Sequence, residues 1–282
     1  MPSVDTSSVD RQSKAAPPHA GTDNSRYLTT SVQRAVSLLK AFSIEKPTYS
    51  LVELAHATGL NVSTAHRLLT TLEAEGLLER DPDNGHFRLA IKVFELGGVV
   101  LHGMELNVVG TPILARLATE TEDTAYFTVL SGDGVLCVAR IEGVRHSRSQ
   151  YLAVGRRLPL HAGAGSKVLL AHMPPEQART LLAKCSFTPY TEHTITDPDR
   201  LLAELVTVKK QGYALSIEEI TDGISAIAAP IRGHDGNIVG AVSLSGAAER
   251  YRGPHLSAFV ERVTGAATHV SLRLGYVPTL TI

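Results

Sequence analysis

The sequence holds 282 residues, with 27 Lys and Arg against 28 Asp and Glu, and this net charge of −1 excludes a bulk polycation that coats nucleic acid or anionic membrane. At ~100–200 residues per domain the length suggests two domains, and a 43 % hydrophobic share is enough to fill two cores. No run approaches the ~18 uncharged apolar residues of a membrane span. Two cysteines without CxxC spacing, Cys137 and Cys185, exclude a disulfide scaffold or cysteine-rich zinc module, and the start MPSVDTSSVDRQSK lacks the apolar centre of a secretory signal. A cytoplasmic chain with no membrane partner is therefore expected.

In chain order, residues 1–26 are Ser, Thr, Pro, Asp and Ala with few apolar side chains, so no burial offsets the entropy of ordering them. They are expected to form a disordered tail. From residue 27 to 90 the pattern is helical and then strand-like. Ser31 is placed to cap a helix whose Val32, Ala35, Val36 and Leu39 form one buried stripe. Pro47 ends it, and Ser50-Leu-Val-Glu53 reads as a capping box that opens a short second helix ended by Gly59. Asn61 offers a cap for a third helix, whose Ala65, Leu68, Leu69 and Leu72 face inward while Ser63, His66, Arg67 and Thr70 face outward. After Gly76 the period drops to two: LLER and HFRL flank Asp81-Pro-Asp-Asn-Gly85, a hairpin signal, with Phe87 and Leu89 on one side and His86 and Arg88 on the other. Three helices closed by such a hairpin make a winged helix-turn-helix.

A recognition helix presents small polar and basic side chains to base edges while its other face packs. Ser63, Thr64, His66, Arg67, Thr70 and Thr71 suit that task, and the Arg67 fork suits guanine O6 and N7. Ser31, Arg34, His86 and Arg88 are placed as further contacts to double-stranded DNA. An ordinary solvated face would also be polar, but here the stripe coincides with the glycine turn, capping box and hairpin. Residues 27–90 carry six bases against seven acids. Positive charge must therefore be focused, with Arg34, Arg67 and Arg88 on one surface and Glu73, Glu75 and Glu79 toward the far end. One copy is expected to bind weakly, and a dimer spanning two half-sites ~34 Å apart supplies the missing affinity.

Residues 91–104 read as a connecting helix interrupted at Gly97 and Gly98, and residues 105–282 alternate helix and strand patterns. Strands are expected from Thr124, Gly134, Gly212, Gly223 and Asn237, the last two joined by a His234-Asp235-Gly236 hairpin, so part of the sheet is antiparallel. A closing helix after Pro254 buries Leu256, Phe259, Val260, Val263, Ala267, Val270 and Leu274. The fold class is α+β. In GAVSLSG, Ser243 and Ser245 share one face and Val242 and Leu244 the other. The two hydroxyls either project together into a mostly apolar pocket, or bond to neighbouring strands. Likewise Gly163 and Gly165 either bring backbone N–H groups to an anion or only make a turn. Arg148 and Tyr151, shortly before, are candidates for added charge or stacking.

Several chemistries are set aside. GAGSK lacks the Gly-Lys-Ser/Thr order of a phosphate loop, and no GxSxG surrounds Ser225, Ser243 or Ser245. No HExxH occurs, so His161 and His193 are weak zinc candidates. Glu218 and Glu219 have no partner base in view. No metal or cofactor is expected. An enzyme acting on a small carboxylate with an appended DNA-binding module would need a base and a nucleophile in one pocket, whereas the candidate residues are mostly Ser, Ala and Leu.

The blocks SVQRAVSLLKAF, SLVELAHATGL, STAHRLLTTLEAEGLLERDPDNGHFRL, LPLHAGAGSKVLLA, IAAPI and VSLSG, in this order over about Thr30 to Gly275, resemble the IclR family of bacterial transcriptional regulators. The resemblance implies an N-terminal winged helix and a linker helix that helps dimerise. It also implies a C-terminal GAF-like domain whose largely antiparallel sheet is flanked by helices and which binds a small effector. Such proteins act as homodimers or homotetramers on pseudo-palindromic operators of catabolic operons. The implied reading is a repressor whose effector is an aromatic or short aliphatic acid. Carried over by position, the effector site comprises Leu158, Ala164, Gly165, Ser216, Ile224, Ala226, Ser243 and Ser245. Ser216 stands where some members that bind small ketoacids have an acidic residue.

Overall fold

The computed structural model describes residues 28–145 and 153–278, so the expected N-terminal tail, Arg148 and Tyr151 lie outside the described residues. The chain forms two compact units whose division falls between Val93 and Phe94, inside the segment expected to connect them.

The first unit runs α1 (Thr30–Lys40), β1 (Thr48–Tyr49), α2 (Leu51–Thr58), α3 (Val62–Ala74), β2 (Leu78–Arg80) and β3 (Phe87–Leu89). Local chemistry fixes its helix starts and stops. Ser50 Oγ accepts the Glu53 N–H at 3.3 Å while the Glu53 carboxylate accepts the Ser50 N–H at 2.8 Å, a complete capping box. Gly59 ends α2 at φ +66°, where a side chain would be strained, and Asn61 caps α3 by accepting the Thr64 N–H at 2.8 Å. Leu38, Leu54, Leu69, Leu72, Leu78 and Phe87 form the core.

Two details of α1 differ from the sequence reading. Its N-cap is Thr29, which makes no side-chain cap bond, so Ser31 falls in the first turn instead. Its buried face centres on Leu38, flanked by Ala35 and Leu39, and leaves Val32 and Val36 exposed. The stripe is turned toward the longer leucine, which fills the space against α2 and α3. An unexpected strand, β1, pairs antiparallel with β3 through Thr48↔Arg88 and Tyr49↔Phe87, making the wing a three-stranded sheet. In the wing, Phe87 is buried but Leu89 remains exposed.

Next, α4 (Ile91–Gly103) runs unbroken through Gly97 and Gly98. The expected interruption is absent because a helical glycine costs only about 1 kcal/mol relative to alanine and does not by itself break the backbone ladder. The second unit continues with α5 (Glu105–Thr121), β4 (Thr124–Ser131), β5 (Gly134–Ile141), β6 (Arg157–Leu158), α6 (Ala164–His172), α7 (Pro175–Leu182) and α8 (Pro198–Gln211). Then come β7 (Ala214–Ile217), β8 (Ile224–Arg232), β9 (Ile238–Ala247), a 3-10 turn (Ala248–Tyr251) and α9 (His255–Arg273). The sheet order is β6-β5-β4-β9-β8-β7, with every pairing antiparallel.

Strand alternation sorts side chains onto the two faces. Phe127, Ile227, Val242 and Leu244 pack in one core with Leu114, Leu117, Val263 and Val270 of α5 and α9. Ala214, Ala228 and Ala241 point the other way, into a second core with Val168 and Leu169 of α6 and Leu201 and Leu205 of α8. Small residues on this second face leave room beneath the start of α6, where the cavity described below opens. Among the described residues, no single helix is long and apolar enough to cross a membrane.

Candidate functional site

In the first unit, α3 presents Ser63, His66, Arg67 and Thr70 outward, while Ala65, Leu69 and Leu72 are buried beneath them. Thr70 and Thr71 donate their hydroxyl protons to the carbonyls of His66 and Arg67, both at 3.0 Å, which leaves lone pairs and methyl groups facing out. Ser63 donates to the capping Asn61 oxygen at 3.0 Å. Ser31 and Arg34 from α1 line one concave surface with Thr64, Arg67, Leu68 and Thr71 from α3. Two guanidinium groups thus border one groove, the focused positive charge that a near-neutral unit needs in order to hold a phosphate backbone.

Arg88 departs from the expected arrangement. It lies directly opposite Glu79 across β2 and β3 and donates to that carboxylate at 2.6 Å, so Glu79 neutralises it rather than lying at the far end. His86 is half-buried at the end of the turn, where its N–H donates to Asn84 Oδ1 at 2.8 Å.

In the second unit, Leu158, Ala164, Gly165, Ser216, Ile224, Ala226, Ser243 and Ser245 all line one cavity of about 570 Å³ including its open mouth. Tyr126, Thr128, Gly163, Ile220, Thr221 and Ser225 complete the lining, and none of the fourteen residues carries a charge. Sequence reasoning missed Tyr126 and Thr128 because TAYFTVL reads as a continuous apolar strand. Register supplies the signal: Tyr126 lies opposite Ser243 on β9, and Thr124 opposite Ser245. The Thr128 and Ser243 hydroxyl oxygens are buried without a hydrogen-bond partner. Ser245 instead donates to the Tyr126 hydroxyl at 3.3 Å.

These hydroxyls lie against the N-terminus of α6. A Cβ on Gly165 would sit 2.8 Å from Thr128 Oγ1 and 3.2 Å from Ser243 Oγ, so only glycine lets the helix approach so closely. Gly163 precedes the helix at φ +93° with no side-chain cap, and the first N–H groups of α6 have no intrahelical acceptor. The Gly163 N–H itself is not free for a ligand anion, because it donates to Glu219 Oε2 at 3.0 Å. Of the two readings of the glycines, turn or anion-binding amide, Gly163 takes the turn, whereas Gly165 sits in the first turn of α6 and its lack of a Cβ admits the Thr128 and Ser243 hydroxyls.

Glu219 belongs to a buried cluster that holds the rim. Lys167, fully buried in α6, contacts the carboxylates of Glu219 and Glu204. Thr194 donates to the Glu219 carbonyl at 2.7 Å and Thr191 to the Glu218 carbonyl at 2.6 Å. The Glu218 side chain contacts Arg252 and accepts the Gly223 N–H at 2.8 Å. The adjacent carboxylates therefore each have a cation, and the strap they anchor carries Ile220 and Thr221 into the cavity wall. Cys137 is buried on β5, where desolvation pushes its thiol up to about 11.

The chain matches the model of the bacterial transcriptional regulator IclR C-terminal domain over residues 98–272 and that of the IclR helix-turn-helix domain over residues 31–82. It is 32 % identical over 246 residues to the HTH-type transcriptional regulator XynR of Escherichia coli, covering 87 % of this chain and 97 % of that one. It is 30 % identical over 247 residues to the transcriptional repressor IclR of the same organism, covering 87 % and 90 %. The crystal structure of an IclR homologue complexed with 4-hydroxybenzoate, from Microbacterium hydrocarbonoxydans, superimposes with a TM-score of 0.76 at 28 % identity over 87 % of this chain and 99 % of that one. With a helix-turn-helix unit, an effector-domain fold and both family models matched in order, the chain belongs to the IclR family of DNA-binding transcriptional regulators.

Proposed function

We propose that this regulator is a cytoplasmic repressor of a catabolic operon, acting as a homodimer or homotetramer and released by a small organic acid bound in the cavity of its second unit. Ser63, Thr64, His66, Arg67 and Thr70 enter the major groove of a pseudo-palindromic operator, Ser31 and Arg34 hold backbone phosphates beside them, and on the wing His86, together with Arg88 once it exchanges Glu79 for a phosphate, contacts the flanking backbone. The observation that carries the effector reading is three buried cavity hydroxyls without protein partners, Thr128, Ser225 and Ser243, the first and last set against the start of α6 in a cavity whose lining carries no charge. Buried polar groups usually find partners, and ligand oxygens at this position would supply them. The first-turn amides of α6 favour an anion, and the apolar remainder of the wall suits an aromatic or short aliphatic body. The relative solved with 4-hydroxybenzoate supports an acid of this class.

The test is a thermal-shift screen of the full chain against small aliphatic and aromatic carboxylates. A ligand present at a hundred times its dissociation constant stabilises the native state by about 2.7 kcal/mol. A selective shift that disappears in Ser243→Ala is expected, whereas a shift unaffected by Ser243→Ala and Ser245→Ala would place the ligand elsewhere. Release from DNA further requires that operator and effector change each other's affinity by one common factor. Equal effector affinities with and without operator would refute it.

A further inference from the structure

We propose that Cys185 and His161 form a second, nucleophilic site on this unit, which adds covalently to α,β-unsaturated carbonyl compounds. Cys185 follows α7 and is half-buried, with its Sγ 3.5 Å from Nδ1 of His161. The other ring nitrogen, Nε2, lies 2.9 Å from the Thr188 carbonyl oxygen. A carbonyl only accepts, so Nε2 carries the ring proton and Nδ1 turns a lone pair toward the sulfur. This is the arrangement of a nucleophile, a base and a group that orients the base. The ring is 1 % exposed and held between Phe187, with centroids 5.1 Å apart, and Tyr190, stacked at 5.8 Å. The packing holds the ring's direction, and the carbonyl selects its tautomer.

The backbone amides of Leu160 and His161 favour the ionised sulfur, and the thiol also lies 3.8 Å from the Ser186 carbonyl. Burial pushes the thiol up and outweighs these amides, so the resting group is a protonated thiol that the imidazole must deprotonate during attack. Cys137 provides the internal contrast: its thiol likewise donates to a carbonyl, that of Ala139 at 3.4 Å, but it is fully buried and no histidine contacts it among the described residues.

The pair lies on a cleft of about 650 Å³ including its mouth, whose lining includes Leu160, Leu181 and Tyr190, the cations Lys184 and Arg157 and the Asp133 carboxylate. Arg157 is engaged by the Ser131 carbonyl and Asp133, at 3.1 and 3.2 Å, which leaves Lys184 as the cleft's other cation. An enone or enal fits this combination of soft nucleophile, neighbouring base and cation beside Leu160, Leu181 and Tyr190. In the reaction the sulfur forms a bond to the β-carbon, the C=C electron pair moves to give an enolate, and the thiol proton passes to Nδ1. The imidazolium then returns that proton to the α-carbon. The addition has no leaving group and needs no oxidant or reductant.

N-ethylmaleimide, a cyclic α,β-unsaturated dicarbonyl, is the probe, applied to the full chain at neutral pH with adducts located by peptide mass mapping. One adduct is expected, at Cys185, formed roughly tenfold or more faster than on glutathione, a conservative share of the 10²–10⁴ that a positioned general base supplies. Cys185→Ser should abolish it, Cys137→Ser should leave it unchanged, and His161→Gln should return the rate to that of glutathione or below. A readout on the unaltered protein guards against misfolding of the histidine variant. Because the proton moves as the S–C bond forms, the reaction should run slower in deuterium oxide, whereas a preformed thiolate shows no such slowing. Modification of Cys185 no faster than glutathione, modification of both cysteines alike, or no slowing in deuterium oxide would overturn the assignment.

Discussion

Replacing Lys167 by methionine tests whether the rim of the cavity is held by charge. The Lys167 side chain is 1 % exposed and that of Glu219 7 %, and the ammonium contacts both Glu219 and the more exposed Glu204. The methionine side chain would fill similar space but leave Glu219 ionised and buried, with the Gly163 N–H at 3.0 Å as its remaining side-chain donor. Breaking a buried pair from one side costs about 3–5 kcal/mol, because the surviving charge is uncompensated. At ~2–4 °C per kcal/mol for a unit of this size, that is a melting drop of roughly 6–20 °C. Urea unfolding of the full chain, followed by circular dichroism and fitted with the two units as separate transitions, reads the free energy directly. Adding Glu219→Gln removes the stranded charge while keeping an oxygen for Gly163, so the double variant should regain ~0.5–3 kcal/mol over the sum of the two single changes. A Lys167→Met cost below about 1 kcal/mol, or strict additivity in the double variant, would show that packing rather than the ion pair holds the strap to α6.

Three further outcomes are expected. Arg67→Ala should weaken operator binding by ~1–3 kcal/mol and relax one base preference; fluorescence anisotropy on specific and scrambled duplexes checks it, and an unchanged affinity ratio between the two would refute base reading by Arg67. Gly165→Ala places a Cβ 2.8 Å from Thr128 Oγ1, so it should cost ~1–3 kcal/mol by overpacking and abolish the ligand-induced thermal shift; retention of that shift would move the ligand away from α6. Glu53 is held at about 2, below its ordinary 4.5, first by the Lys46 side chain and then by Ser50. A lowered folded value means the carboxylate stabilises the first unit fully above 4.5 and loses that contribution as pH falls toward about 2. Glu53→Gln should therefore be less stable than the unaltered chain near neutrality and converge with it in acid, and parallel stability curves through this range would contradict the assignment.

What was legible in the sequence divides by the range of the interaction that decides it. The Ser50–Glu53 box, the Gly59 stop and the Asn61 cap each depend on partners no more than four residues away, and each forms as the sequence reads. Period-two alternation likewise put Ser243 and Ser245 on one face and Val242 and Leu244 on the other. It left open whether the hydroxyls meet a cavity or a neighbouring strand, and only the resemblance to a family joined them to Leu158, Gly165 and Ser216. Illegible features depend on cross-strand or distant partners. Arg88 is neutralised by a residue nine positions away across a hairpin, and Lys167 finds Glu219 fifty-two positions on. Two-residue strands such as β1 and β6 are too short to show any period. Thr128 was hidden for a different reason: in an apolar strand its hydroxyl looks like tolerated noise, and its meaning appears only when the helix carrying Gly165 closes over it and leaves the oxygen without a partner. A polar atom that the fold buries and does not satisfy is a demand that sequence patterning cannot display, because it is created by tertiary contact, and in this chain it marks the floor of the cavity.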